Sequence, residues 1–321
     1  MDNVKIQENM TYAPIALFTY NRPDHTQKAV ESLLLNAEAK DSELFIFSDG
    51  PKNEKAVEGV KKNREYIHEV KKLEGSGFKK VTLVEREKNC GLANSLIAGI
   101  TDVINKYGEI IVVEDDLVLS PFFLDFMNKG LDKYREDERI GAISAYIYSD
   151  MNNLPDTFFI RHFHCWGWAT WSRAWKLLNT DAKDLLRQMR WKKKEFDVGG
   201  FAGAYGNLYC QHKGLIDSWW VRYYASLFLA NKLVLYPGCS LVSNNGCDGS
   251  GTHSVKGNEN NVQILLASNP IILKDITIEE NKKCYDEFCR HFSRNVNKHS
   301  FIQYVENCKS FIRRLFYIDC I

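Results

Sequence analysis

The chain has 321 residues, 45% of them hydrophobic and 26% charged, enough for one large α/β domain or two smaller ones. That composition is ordinary for a folded protein and leaves no room for wholesale disorder. Its 42 basic side chains against 41 acidic ones give a net charge of +1, which argues against a dedicated nucleic-acid binder with its basic stripe.

From Met1 to Tyr12 the chain is polar and lacks the apolar centre of a signal peptide. No apolar run approaches the ~20 residues needed to span a bilayer. A cytoplasmic location, or attachment only to the inner face of a membrane, is expected. Nine cysteines, an odd number with no Cys-x-x-Cys pair, read as free thiols of a reducing compartment.

Ile15 to Tyr20 is a buried strand by length and composition. Asn21-Arg22-Pro23-Asp24 breaks it, and Pro23 and Asp24 suit a helix start; Ala29, Val30, Leu33 and Leu34 line that helix. Leu44 to Phe47 is a second strand, ending in the turn Ser48-Asp49-Gly50-Pro51, and a long charged helix from about Glu54 to Glu74 closes at Gly75-Ser76-Gly77. Val81 to Val84 is a third strand, followed by the loop Arg86 to Gly91 and a helix lined by Leu92, Leu96, Gly99, Ile100 and Val103. Ile110 to Val113 is a fourth strand that runs into Glu114-Asp115-Asp116. Continuous apolar runs of this kind mark parallel strands covered on both faces.

The second half differs. All seven tryptophans lie in it, between His162 and Trp220, and glycine-rich loops follow around 198–206 and 244–257. After about Asn258 the strand pattern fades and the chain is expected to end in helices.

In open α/β sheets, ligands bind beyond the carboxyl ends of the strands. Four such ends are polar here: Thr19-Tyr20-Asn21-Arg22, Ser48-Asp49, Arg86 with Asn89, and Glu114-Asp115-Asp116. Three adjacent carboxylates repel one another, so a fold keeps them at a strand end mainly when a cation offsets the repulsion. Hard oxygen ligands favour Mg²⁺ or Mn²⁺ held by one or two carboxylates and phosphate oxygens.

These motifs resemble the GT-A class of nucleotide-sugar glycosyltransferases over roughly residues 13 to 255. Glu114-Asp115-Asp116, with Leu117 to Pro121 behind it, is similar to the motif of the N-acetylglucosaminyltransferase that begins complex N-glycan branching. His164-Cys165-Trp166-Gly167-Trp168-Ala169-Thr170-Trp171 resembles segments of bacterial surface-polysaccharide glycosyltransferases. The resemblance implies an α/β fold with a Rossmann-like, mostly parallel half over 13–120, an acceptor half over 121–257 and a helical extension over 258–321. It implies that Thr19, Tyr20, Asn21 and Arg22 hold the base and diphosphate, Asp49 the uracil or ribose, and Arg86, Asn89 and Gly91 the covering loop. Glu114 and Asp115 would then contact ribose or sugar, Asp116 would ligate Mn²⁺ or Mg²⁺, and His253 would be a further metal or diphosphate ligand.

The same resemblance implies a UDP-sugar donor, a glycan or lipid-linked acceptor, and inversion with Asp217 as base. Asp217 precedes an apolar helix from Trp219 to Leu229, so it also reads as that helix's N-cap. One of Trp166 or Trp168 is expected to stack on a sugar; the other tryptophans read as core. His162 and His164 fall on one face of an expected strand, without the further ligands a zinc site needs. From Phe301 to Leu315 apolar residues recur at helical spacing beside Lys309, Arg313 and Arg314, which suits docking onto the domain or contact with a membrane surface. Two rival readings are a nucleotidyltransferase, which would want a glycine-rich basic loop where Asn21-Arg22-Pro23-Asp24 stands, and a non-catalytic carbohydrate-binding protein.

Overall fold

A computed structural model describes residues 11–246 and 264–294. The first half contains β1 (Ile15–Thr19), α1 (Pro23–Leu34), β2 (Glu43–Ser48), α2 (Glu54–Lys71), β3 (Lys80–Glu85), α3 (Leu92–Tyr107) and β4 (Glu109–Glu114). Next come β5 (Leu117–Leu119), α4 (Phe123–Lys133), β6 (Ile140–Ser144), β7 (Thr157–Ile160), β8 (Trp168–Trp171) and α5 (Ser172–Trp175). The last named elements are α6 (Ala182–Met189), α7 (Lys193–Phe196), α8 (Ala204–His212), α9 (Trp219–Leu229), β9 (Leu233–Pro237) and β10 (Val242–Asn244).

One eight-stranded sheet, in the order β3-β2-β1-β4-β8-β6-β9-β7, runs through both halves, and β5 pairs separately with β10. The first four strands are mutually parallel, as their apolar runs require. β8 and β7 run antiparallel to their neighbours, while β6 and β9 are parallel to each other. The sheet is therefore mostly parallel.

Alternation along β1 divides its side chains between two cores. Ala16 and Phe18 join Leu96, Ile100 and Val103 of α3 on one face; Ile15 and Leu17 join Ala29, Val30 and Leu33 of α1 on the other. Each such Val, Leu, Ile or Phe side chain, removed from water, contributes roughly 1.5–3 kcal/mol before the entropy of ordering it is subtracted. Trp168, Trp175, Trp219 and Tyr223 fill the first core beside α9.

Two local expectations need correction. Helix α2 stops at Lys71 rather than Glu74, because the amides of Gly77 and Phe78 turn back to the Leu73 carbonyl. His162 and His164 do not lie on a strand, since β7 ends at Ile160. Beyond 264 the chain packs on the same body: Ser120 Oγ donates to the Ala267 carbonyl at 2.7 Å. A helix over 282–294 inserts Cys284 and Phe288 into the core. Among the described residues, no helix is long and apolar enough to cross a membrane. Cys90, Cys165, Cys239, Cys284 and Cys289 carry free thiols. The 301–315 segment lies outside the described residues.

Candidate functional site

Strand register gathers the polar ends onto one edge. Thr19 lies beside Ser48, Ser48 beside Glu85, and Phe18 beside Glu114. The residues that follow, Tyr20 to Arg22, Asp49, Arg86 to Gly91 and Asp115 to Asp116, therefore share one rim.

At its centre is Arg22, the residue just before α1. Its Nη2 donates to Asp115 Oδ1 and to Asp116 Oδ2, the latter at 3.2 Å. The acidic triplet thus has a cation already, supplied by the protein. Burial disfavours the guanidinium charge, but Asp115 and Asp116 outweigh it and hold Arg22 above its ordinary pKa. Asp115 is 4% exposed; burial pushes its carboxyl up to about 6 against the pull of Arg22. Glu114 is raised well above the usual carboxylate range, by burial first and then by Asp116 and Asp115. Nη1 of Arg22 is buried without a protein partner, which leaves a donor for a ligand.

Thr19 turns its hydroxyl inward. It is 5% exposed; its hydroxyl donates to the Phe47 carbonyl at 3.3 Å and accepts from Asn63 Nδ2 at 2.9 Å. Asn63 Oδ1 in turn accepts from Thr26 Oγ1 at 2.6 Å. This network fixes the first turn of α1, and with it Arg22. Asn63 was missed from the sequence, yet it stands on the apolar stripe of α2 among Ala56, Val60, Ile67 and Val70. A polar residue on such a stripe was the available signal. Tyr20 ties two strand ends together: its N–H donates to Asp115 Oδ2 at 3.3 Å and its hydroxyl accepts from Lys52 N–H at 2.9 Å. Asn21 is half-buried beside it.

Asp49 is committed to the covering loop. Its Oδ1 accepts from the amides of Gly50 at 3.0 Å and Cys90 at 2.9 Å; its Oδ2 accepts from Gly91 N–H at 3.1 Å and Asn89 Nδ2 at 3.2 Å. Gly91 takes φ +78 to start α3 there, a left-handed turn that favours glycine. Arg86 reaches the first turn of α3, with Nη2 donating to the Ser95 carbonyl at 3.2 Å. The carboxylate expected to touch uracil or ribose thus also shapes the loop, and any contact with a nucleotide is shared with four internal donors.

The second half of the chain closes the opposite side. Pairing of Val112 with Trp168 sets the segment before Trp168 beside the end of β4. Trp168 is completely buried, stacked on Trp219 at 5.3 Å, so it is core and cannot offer a face to a sugar. Trp166 is half-buried, edge-on to Tyr146 at 4.5 Å and to His164 at 4.8 Å. Burial holds His162 down to about 3 and His164 well below its ordinary value, so both are neutral. The β10 ribbon brings the chain back to the acids: Asn245 N–H donates to the Asp116 carbonyl at 2.8 Å. A Cβ on Gly246 would lie 2.5 Å from Asp116 Oδ2, so only glycine permits this approach. His253 and Asp248 follow it in the chain but lie outside the described residues.

Asp217 is not the helix cap. Ser218 is, its hydroxyl accepting from Val221 N–H at 3.4 Å. Asp217 stands one residue earlier, 54% exposed in its side chain and paired with Arg222 at 3.0 Å. Helix α9 leads into β9, which lies parallel to β6, so the start of α9 lies toward the rim that holds Glu114 to Asp116. Trp220 Nε1 fastens it there, donating to the Phe163 carbonyl at 2.9 Å.

Among the described residues, no three His, Cys, Asp or Glu side chains converge as a metal-ligand cluster. The donor set would fit a hard divalent cation held by Asp116 and chiefly by diphosphate oxygens, since Asp115 and Asp116 share the single guanidinium of Arg22.

Residues 15–204, more than half of the chain, match the family model described as Glycosyl transferase family 2. No curated protein matches the chain. Among solved structures, S. aureus TarS aligns at 12% identity and TM-score 0.32, covering 44% of this chain and 23% of that one. A TarS structure of residues 1–349 aligns at 10% identity and TM-score 0.31, covering 44% and 38%. The chain thus spans well under half of the length of either.

Proposed function

This chain belongs to glycosyl transferase family 2, and from that premise we propose that it is a glycosyltransferase that moves a sugar from UDP to an acceptor hydroxyl, with Mn²⁺ or Mg²⁺ at the diphosphate. The acceptor is a glycan or a lipid-linked saccharide, and the anomeric carbon is inverted. The observation that carries this reading is the Arg22 bridge to Asp115 and Asp116 at a strand end, beside the amide-built loop of Asn89 to Gly91.

Asp116 would hold Mn²⁺ or Mg²⁺, with His253 as a further ligand, and the ion would supply charge neutralisation for the departing diphosphate. Arg22 keeps both aspartates aimed without needing the donor present. Arg86, Asn89 and Gly91 shape the nucleotide loop around Asp49. Trp166 offers the face on which a sugar stacks. Asp217 takes the proton as the acceptor oxygen bonds to the anomeric carbon and the bond from that carbon to the phosphate oxygen breaks. Its exposure suits a group that must meet an incoming acceptor.

Thermal stabilisation by nucleotide sugars tests the reading, because a ligand at 100 times its Kd stabilises by about 2.7 kcal/mol. A UDP-sugar should raise the melting temperature in Mn²⁺ and lose that effect in Asp116→Asn. If no nucleotide sugar stabilises the protein with either ion, the donor assignment fails.

A further inference from the structure

Four cations stand within five residues at the turn between α6 and α7: Arg190, Lys192, Lys193 and Lys194. With Arg187 they make a stretch of eight residues containing no acid, in a chain whose net charge is only +1. Neighbouring acids are engaged by Arg187 and Arg161. Asp184 pairs with Arg187 at 2.5 Å, and Glu195 with Arg161 at 3.5 Å. Among the described residues, Arg190 and the three lysines have no carboxylate partner in any ion pair.

In the middle of this stretch Trp191 is 85% exposed, an unusual position for an indole. Arg190 lies over its ring at 4.7 Å. Lys193 covers the Tyr205 ring at 4.4 Å, and Phe201, 41% exposed, belongs to the adjoining loop. That loop is held in place: the Asp197 carbonyl accepts from Phe201 N–H at 2.7 Å and Ala202 N–H at 2.8 Å, and Asp197 Oδ1 from Tyr205 N–H at 2.7 Å. Phe196 anchors α7 beneath it, wholly buried and stacked on Tyr224 at 4.5 Å. The patch is thus presented on a fixed base.

We infer that Trp191, Phe201 and the surrounding Arg190, Lys192, Lys193 and Lys194 form a docking surface for an anionic lipid bilayer. Indoles favour the level of lipid headgroups, where one part of the ring is dry and another wet. Cationic side chains beside them meet the negative surface potential of anionic lipid. A soluble polyanion would engage the cations but give no reason for two exposed aromatic rings, so the bilayer is the occupant that uses every group.

Co-sedimentation of the full chain with vesicles, phosphatidylcholine alone or with phosphatidylglycerol, tests the inference. Binding is expected only to the anionic vesicles, weakening as salt screens the charges. Lys192→Gln, Lys193→Gln and Lys194→Gln together should weaken it about a hundred-fold, at about five-fold per lysine. Trp191→Phe supplies a second readout: the difference in emission between it and the parent should shift to the blue on vesicles. Unchanged melting temperatures would show that both variants fold. Three results would overturn the assignment: no binding to anionic vesicles, binding unaltered in the triple variant, or loss of binding only on removal of residues 299–321. Displacement of the vesicles by a soluble polyanion with no change in Trp191 emission would point to a polyanion site and also overturn it.

Discussion

Arg22 and Asp115 lie 93 positions apart in the chain, yet they form an ion pair across the ends of β1 and β4, with Asp116 sharing the same guanidinium nitrogen. The pair does inside the protein part of what a bound cation does for a cluster of acids. It also joins the strand end that opens the site to the one that closes it.

Loss of that bridge should be felt before any ligand binds. Removing one partner of a buried pair typically costs about 3–5 kcal/mol, because the other charge is left uncompensated. Arg22→Met is expected to lose roughly 3 kcal/mol in urea unfolding. Arg22→Met combined with Asp115→Asn should recover part of the loss, whereas independent sites would simply add. A single variant as stable as the parent would show that the bridge is not structural.

Asp49 makes a separate prediction, since it holds the Asn89-Cys90-Gly91 loop by its amides. Hydrogen bonds to a charged group contribute about 1.5–3 kcal/mol each at most, so Asp49→Asn should destabilise the loop locally by about that amount. Hydrogen exchange should show faster exchange at Cys90 and Gly91 in the absence of donor. Unchanged protection there would mean that Asp49 serves only the ligand.

For Asp217 the expected defect is catalytic. Base assistance typically supplies about 10²- to 10⁴-fold, so Asp217→Asn should lose that much kcat with donor affinity nearly unchanged. Ser218 is the cap, so Asp217→Ala spares it, but it leaves the buried Arg222 guanidinium without its carboxylate, and Asp217→Asn is the cleaner test. Ser218→Ala should instead cost about 1 kcal/mol of stability. Transfer at close to the parent rate by Asp217→Asn would move the base elsewhere, with Asp248 the next candidate.

Acid should destabilise the protein through its buried histidines. His162 is 4% exposed and burial lowers it from 6.5 to about 3. As pH falls below about 6.5 the unfolded chain takes up a proton that the native state refuses until about 3. Stability present above that window is therefore lost going down through it, by about 1.4 kcal/mol per pH unit for each such group. His162→Gln, which keeps a polar partner for the Tyr236 hydroxyl, should flatten the slope of melting temperature against pH between 6 and 4. An unaltered slope would place the acid sensitivity in other groups.

Much of the first half was legible because strands buried on both faces need continuous apolar runs, and such runs are visible. The bounds of α9, Trp219–Leu229, were read from its apolar run alone. What the histidines and Trp168 do was not legible in the same way. An indole between glycine and alanine reads equally as sugar platform or core, and only its stacking on Trp219, across 51 positions of chain, assigns it to the core.

The sequence by itself determined that polar residues cap four parallel strands and that three acids follow the last of them, because hydrophobic period and strand length are local properties. The tertiary structure decided how those residues divide the work. Thr19 turned inward to Asn63, Asp49 took the amides of its covering loop, Arg22 became the counter-ion of Asp115 and Asp116, and Ser218 displaced Asp217 as cap. Each of these is a choice among hydrogen-bond partners, and burial makes an unpaired polar group costly. Apart from the cap, the partners come from segments distant in the chain, so only the packed fold could select them.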